Sequence, residues 1–142
     1  MAAAMLREKF SKIHFSSVYQ TKAMEVEEQE DFLNAVAQIE TEIAPEEVLE
    51  ALQRIEKALK KNPPYRFGPR TIDLDLLLYN DRVMDSDILK LPHPGMQGRR
   101  FVLEPLCDVI DVNTKHPILE TSWKELLTKT QDQECRKIDF FL

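Results

Sequence analysis

Glycine is the residue whose placement most limits what this chain can fold into. The 142 residues contain 3 glycines, and all three lie between positions 68 and 98. Glycine-rich phosphate loops and dinucleotide-binding turns need several glycines at fixed spacing, so the first 67 residues hold neither. Close approach of the backbone to a ligand is therefore expected in the middle of the chain.

The rest of the composition predicts one globular, cytoplasmic domain over residues 1–142. An apolar content of 43% and a charged content of 31% are ordinary for a folded protein. Two cysteines, Cys107 and Cys135, are too few for a disulfide framework and favour a reducing compartment. The net charge of −6 and the short apolar run at residues 2–6 argue against nucleic-acid binding and against a membrane span.

Apolar spacing predicts two helices, one already running at Met1 and one that begins at Pro45. Strands are predicted at residues 13–20, 32–43 and 72–79, and a turn at Asn80 and Asp81 would return the last of these as a hairpin. Residues 101–109 suggest a strand followed by a turn. Ser122 and Glu125 form a capping box for a short helix, and the apolar tail 138–142 is expected to pack on the core.

This order of elements favours an α+β sandwich, in which helices pack on a mainly antiparallel sheet. Such a layout usually has a strand before its first helix. Here no capping residue precedes the first helix, so we expect that a first strand is missing.

Asp73 and Asp75 are the strongest candidates for chemistry. Residues two apart in a strand point to the same side, so two carboxylates at this spacing can bind one or two hard cations. The alternative is that they mark the wet side of a half-buried strand. Leu77 and Tyr79 would continue that side, which speaks against a uniformly polar face.

Cationic and aromatic side chains surround this pair in the sequence. Arg66 and Arg70 flank Phe67 in a loop, and arginine suits bidentate phosphate binding. His93 lies between two prolines that restrict its backbone. Ordinary surface arginines, a core phenylalanine and a structural histidine are the alternatives.

Two further pairs combine a polar group with an aromatic ring two residues away. Arg99 and Phe101 would lie on the same side of an extended stretch, as would Phe32 and Asn34. An asparagine amide can both donate and accept hydrogen bonds at the edge of a heterocycle. The pattern alone is weak, and solvated loop residues explain it equally well. His14 and His116 have no such context and are expected to be structural or on the surface.

Residues 66–79, with the sequence RFGPRTIDLDLLLY, resemble the signature of the 6-hydroxymethyl-7,8-dihydropterin pyrophosphokinases. Residues 92–106 resemble the second conserved block of that family, and residues 16–21 and 31–35 resemble its pterin-side segments. The resemblance covers roughly positions 14–110. It implies a ferredoxin-like α/β sandwich, and an enzyme of folate biosynthesis that transfers pyrophosphate from ATP to the hydroxymethyl group of the pterin and releases AMP.

The resemblance also assigns expected roles to single residues. Asp73 and Asp75 would hold two Mg²⁺ ions. The groups expected at the ATP phosphates are Arg66, Arg70, His93 and Arg99, with Lys60 and Lys61 nearby. The groups expected at the pterin are Thr21, Phe32, Asn34 and Phe101, and Phe67 is expected to stack on a base.

The chain departs from the family pattern in three places. It lacks the family's first strand, which ends in a Gly-Ser-Asn turn. The family's loop between the second helix and the signature usually carries arginines, whereas here Lys60 and Lys61 stand nearby. Ile88, with Lys90 nearby, stands where an arginine is frequent. A truncated, non-catalytic homologue that binds nucleotide or pterin weakly is therefore the main alternative, and a different Asp-x-Asp metal enzyme is another. We expect a monomer, with a dimer that completes the sheet as the alternative.

Overall fold

The computed structural model describes residues 2–21, 32–61, 73–140 and 142. These residues form an α+β fold of the ferredoxin-like class, as the sequence predicted. The helices are α1 (Ala2–Lys9), α2 (Pro45–Lys61), α3 (Arg100–Val109) and α4 (Trp123–Thr128), with a 3₁₀ turn at Met96–Gly98. The strands are β1 (Ile13–Phe15), β2 (Val18–Thr21), β3 (Phe32–Asn34), β4 (Ala37–Ile39), β5 (Met84–Asp85), β6 (Lys90–Leu91) and β7 (Arg136–Ile138).

All strand pairs of the described residues are antiparallel. Strand β1 pairs with β4, β2 lies between β3 and β7, and β5 pairs with β6. The predicted strands 13–20 and 32–43 are each divided into two, which corrects the sequence prediction. Ser16 marks the break, because its backbone N–H donates to the Val36 carbonyl and its Oγ accepts from the Val36 N–H. The chain then passes from the β1–β4 pair into the β2–β3 pair.

Helix α2 builds the first of two core clusters. It begins at Pro45, as predicted, and its apolar residues recur at helical spacing. This stripe packs against α1, whose Leu6 and the following Phe10 are both buried. The buried members of the cluster are Leu6, Phe10, Val48, Ala51, Leu52, Ile55 and Leu59.

Helix α3 builds the second cluster with α4, and it corrects the prediction of a strand and turn at 101–109. Leu103 and Leu106 are spaced three apart and are both buried, which places one side of a helix in the core. The sequence suggested otherwise because Pro105, which lies inside the helix, usually breaks one. Met96, Trp123 and Leu126 complete the buried cluster.

Residues 73–78 run between the two clusters without belonging to any strand, contrary to the prediction for 72–79. Leu74 and Leu76 pack on the first cluster, whereas Leu77 and Leu78 pack on the second. The turn at Asn80 is present, with a positive φ of 52° at that residue. The strand after it, β5, pairs with β6, and the described residues 73–79 form no strand, so the predicted hairpin is wrong.

The C-terminal part confirms one prediction and corrects another. The Glu125 N–H donates to Oγ of Ser122 at 3.2 Å, so the predicted cap of α4 is present. The tail was expected to bury its apolar residues, but Phe140 is 54% exposed. The tail is instead held through β7, which pairs with β2. Among the described helices, we find none with both the length and the apolar content that a bilayer span requires.

Candidate functional site

Asp73 and Asp75 lie at the start of the segment that separates the two cores. Both side chains are exposed, while Leu74 between them is partly buried against the first core. The segment is anchored after them, because the hydroxyl of Tyr79 donates to the Ile43 carbonyl at 2.6 Å. The carboxylates are thus held at the surface by the packing of Leu74 between them and by the anchored segment that follows them.

Asp75 borders both of the main cavities. The larger one, of about 1260 Å³, is lined by β4 and by the 73–81 segment, and its wall includes Asn34, Asp73 and Asp75. The smaller one, of about 300 Å³, is lined by Asp75 and His93 together with part of α2. The fold therefore brings the predicted pterin-side amide, the predicted metal ligands and the predicted phosphate-binding histidine to adjoining spaces.

Asn34 is placed by the pairing of β2 with β3. It lies opposite Tyr19 in the register, and Thr21 lies opposite Phe32. Tyr19 is buried, and its hydroxyl donates to Oδ2 of Asp108 on α3 at 2.8 Å. Burial, and then this carboxylate, raise the pKa of Tyr19 well above its usual range, so the hydroxyl keeps its proton and the contact to α3.

His93 is tied directly to the segment that carries the aspartates. Its backbone N–H donates to the Leu77 carbonyl at 2.9 Å, and the Leu91–Pro92 peptide bond before it is cis. Ile88, where the resemblance led us to expect an arginine, is 70% exposed and lines the same smaller cavity. Lys90 supplies a cation on that wall, although it lies 3.8 Å from the carboxylate of Asp85.

Arg99 is not among the residues that line either cavity. Its guanidinium stands 5.9 Å from the ring centre of Phe101 and lies against Gly95, 3.6 Å from where a β-carbon would be. From the sequence we predicted that Arg99 and Phe101 lie on the same side of an extended stretch. They do meet, but Arg99 is extended and Phe101 is in the first turn of α3.

Some predicted site residues do not line the cavities, and others lie outside the residues that the structure describes. Lys60 forms an ion pair with Glu56 one helical turn away, at 3.7 Å, and does not line either cavity. The predictions for Arg66, Phe67 and Arg70 fall outside the described residues, as do the side chains of Phe32 and Lys61.

The two cysteines and His116 behave as structural groups. Burial raises the pKa of Cys107 to about 11, so its thiol stays protonated and is a poor nucleophile at neutral pH. Burial likewise raises the pKa of Cys135. His116 is buried, and its Nδ1 accepts hydrogen bonds from two backbone N–H groups, which confirms the structural interpretation.

The donor set at the aspartates fits a hard cation that is shared with a substrate. Among the described residues, neither carboxylate has a hydrogen-bond or ion-pair partner. No group of three or more candidate ligands is found in that part of the chain. Mg²⁺ is typically bound by one or two carboxylates while phosphate oxygens and waters fill the remaining positions, which is the set that two aspartates can provide.

Sequence reasoning missed two groups that shape this region. Asp108 braces Tyr19, and Gln133 contacts the backbone on both sides of Arg99. Neither stands in a motif, and both act on partners more than thirty residues away in the sequence. Only the folded chain could have revealed them.

Comparisons with known proteins point to one family. The family model of 7,8-dihydro-6-hydroxymethylpterin-pyrophosphokinase (HPPK) matches residues 1–111. A 2-amino-4-hydroxy-6-hydroxymethyldihydropteridine pyrophosphokinase of Aquifex aeolicus is 40% identical over 119 residues, which are 83% of this chain and 74% of that protein. Proteins of the same name from Bacillus subtilis and Haemophilus influenzae are 44% and 43% identical over 94 residues, or 66% of this chain. These matches span 56% and 59% of the two relatives, less than two thirds of their length.

Proposed function

The chain belongs to the 7,8-dihydro-6-hydroxymethylpterin-pyrophosphokinase family, and from this premise we propose that it transfers pyrophosphate from ATP to a pterin. The acceptor would be the hydroxymethyl group of 6-hydroxymethyl-7,8-dihydropterin, and the second product would be AMP. The observation that carries the proposal is the position of Asp75, which borders both the cavity that contains Asn34 and the cavity that contains His93. A two-substrate transfer needs the metal ligands at the boundary between its two substrates.

The roles of the residues follow from their chemistry. The hydroxymethyl oxygen of the pterin forms a bond to the β-phosphorus of ATP, and the bond from that phosphorus to the α,β-bridging oxygen breaks. AMP leaves with the bridging oxygen, and the hydroxyl proton passes to water. Asp73 and Asp75 would hold Mg²⁺, with two ions expected, and the metal would supply charge neutralisation on the phosphate oxygens. His93 and Arg99 would bind phosphate oxygens, and Arg66 and Arg70 are proposed for the same task.

Asn34 would select the pterin. Its amide can pair with both a donor and an acceptor on the edge of the heterocycle, and it lines the larger cavity near the aspartates. Thr21 and Phe101 are proposed as its neighbours at the pterin, with Phe32 on the same strand as Asn34. A cytoplasmic location is part of the proposal, since unpaired cysteines suit a reducing compartment.

The test is AMP formation from ATP and 6-hydroxymethyl-7,8-dihydropterin in the presence of Mg²⁺. We expect turnover that stops when the metal is chelated, and Asp75→Asn should lower kcat by at least roughly a hundredfold. Asp139→Asn is the matched control, because Asp139 is an exposed aspartate that lines neither cavity. Absence of AMP from folded protein would contradict the proposed reaction and favour the non-catalytic alternative.

A further inference from the structure

The loop that presents Arg99 is held from a distant part of the chain. The side-chain carbonyl Oε1 of Gln133 accepts from the Arg100 backbone N–H at 2.9 Å, and its Nε2 donates to the Gly98 carbonyl at 2.8 Å. One carboxamide therefore brackets the backbone of Arg99 on both sides. The orientation of the amide is unambiguous, since a backbone N–H can only donate and a backbone carbonyl can only accept.

This bracket replaces a helix cap that Arg99 cannot provide. Arg99 is the N-cap residue of α3, and its side chain makes no capping hydrogen bond. The first N–H groups of a helix need acceptors, which serine, threonine, aspartate or asparagine usually supplies at this position. Since the Arg99 side chain makes no cap, Gln133 accepts from the Arg100 N–H in its place, and the Arg99 guanidinium is left available for a ligand.

The segment that carries Gln133 is itself fixed to α3. The Arg100 guanidinium donates to the carbonyl of Gln133 at 2.8 Å and lies 3.7 Å from the carboxylate of Glu104. The Gln133 N–H donates to the Thr130 carbonyl at 3.0 Å. The backbone of Gln133 is thus fixed both to α3 and to the turn at the end of α4, so its carboxamide can restrain the loop at Arg99.

The geometry points to Gln133 as a positioning residue that holds Arg99 for phosphate binding. The inference rests on the proposed function, in which Arg99 binds a phosphate oxygen of ATP. Gln133 does not touch the substrate; it restricts the backbone from which the guanidinium extends. It lies beyond residues 1–111, the range that the family model matches.

A double-mutant cycle on nucleotide binding tests the inference. The dissociation constant of a non-hydrolysable ATP analogue with Mg²⁺ is measured for the wild type, Gln133→Met, Arg99→Met and the double variant. Gln133→Met keeps the length of the side chain but removes both hydrogen bonds, and we expect it to weaken binding by about tenfold. This is less than the roughly thirtyfold effect that two ordinary hydrogen bonds would have if both were lost from the complex alone. If Gln133 acts through Arg99, the double variant binds within about twofold of Arg99→Met.

The controls separate this inference from the proposed reaction. Gln131→Met changes the same residue type in the same segment, where only the backbone carbonyl contacts Arg100, and it should leave binding unchanged. Hydrogen exchange at the Arg100 amide should accelerate in Gln133→Met. Multiplicative losses in the cycle, or an unchanged dissociation constant in Gln133→Met, would overturn the positioning role. Failure to form AMP with the coupling intact would instead overturn only the proposed reaction.

Discussion

Protonation of His116 should destabilise the folded protein at mildly acidic pH. The side chain is 4% exposed, and its Nδ1 accepts hydrogen bonds from the N–H groups of Ile118 and Leu119, both at 3.1 Å. The ring also packs on Trp123, with ring centres 5.3 Å apart. These contacts require an unprotonated Nδ1, and burial lowers the pKa of His116 below its usual value of 6.5.

The sign of the effect follows from the two states. The unfolded chain takes up a proton near pH 6.5, whereas the folded chain takes it up only at a lower pH. The contribution of neutral His116 to the free energy of unfolding is therefore complete above about pH 6.5. This contribution falls as the pH drops towards the folded pKa, by up to about 1.4 kcal/mol per pH unit. Two hydrogen bonds of about 1 kcal/mol each suggest a total loss of about 2 kcal/mol.

Urea denaturation between pH 8 and pH 5 measures this loss. His116→Phe keeps a ring beside Trp123 but lacks the acceptor, so it should be about 2 kcal/mol less stable than the wild type at pH 8. The difference should shrink towards pH 5, because only the wild type loses stability through this histidine. His14→Gln, at an exposed position of β1, should behave as the wild type does. Parallel pH profiles for the wild type and His116→Phe would refute the reasoning.

Two further predictions concern the packing that supports the site. Leu103→Ala removes a fully buried side chain, so it should lower the free energy of unfolding by about 3–4 kcal/mol and Tm by about 10 °C in calorimetry. A drop of less than about 3 °C would mean that the surrounding core closes around the smaller residue. Tyr19→Phe removes the hydroxyl that donates to Asp108, so urea denaturation should show a loss of about 1.5–3 kcal/mol, and an unchanged midpoint would show that the contact adds no stability.

Local patterns were sufficient for part of the fold. The stripe of α2 and the cap of α4 depend on residues within one or two helical turns, so they could be predicted from the sequence. The strands could not be bounded in the same way. A two-residue break such as the one at Ser16 is decided by hydrogen bonds to Val36, twenty positions away. Helix α3 was missed because burial of Leu103 and Leu106 outweighs the presence of Pro105.

By itself, the sequence determined which groups were available for chemistry. The spacing of Asp73 and Asp75, within a segment that resembles a family signature, was sufficient to predict a phosphate-transfer site. The reason is that residue types and their spacing can be recognised directly in the sequence. Only the tertiary structure decided how those groups meet. It placed Asp75 at the boundary between the cavity that contains Asn34 and the cavity that contains His93, and it set Gln133 across the backbone of Arg99. The physical reason is that such contacts depend on the packing of segments that are far apart in the chain, and no local pattern of residues encodes that packing.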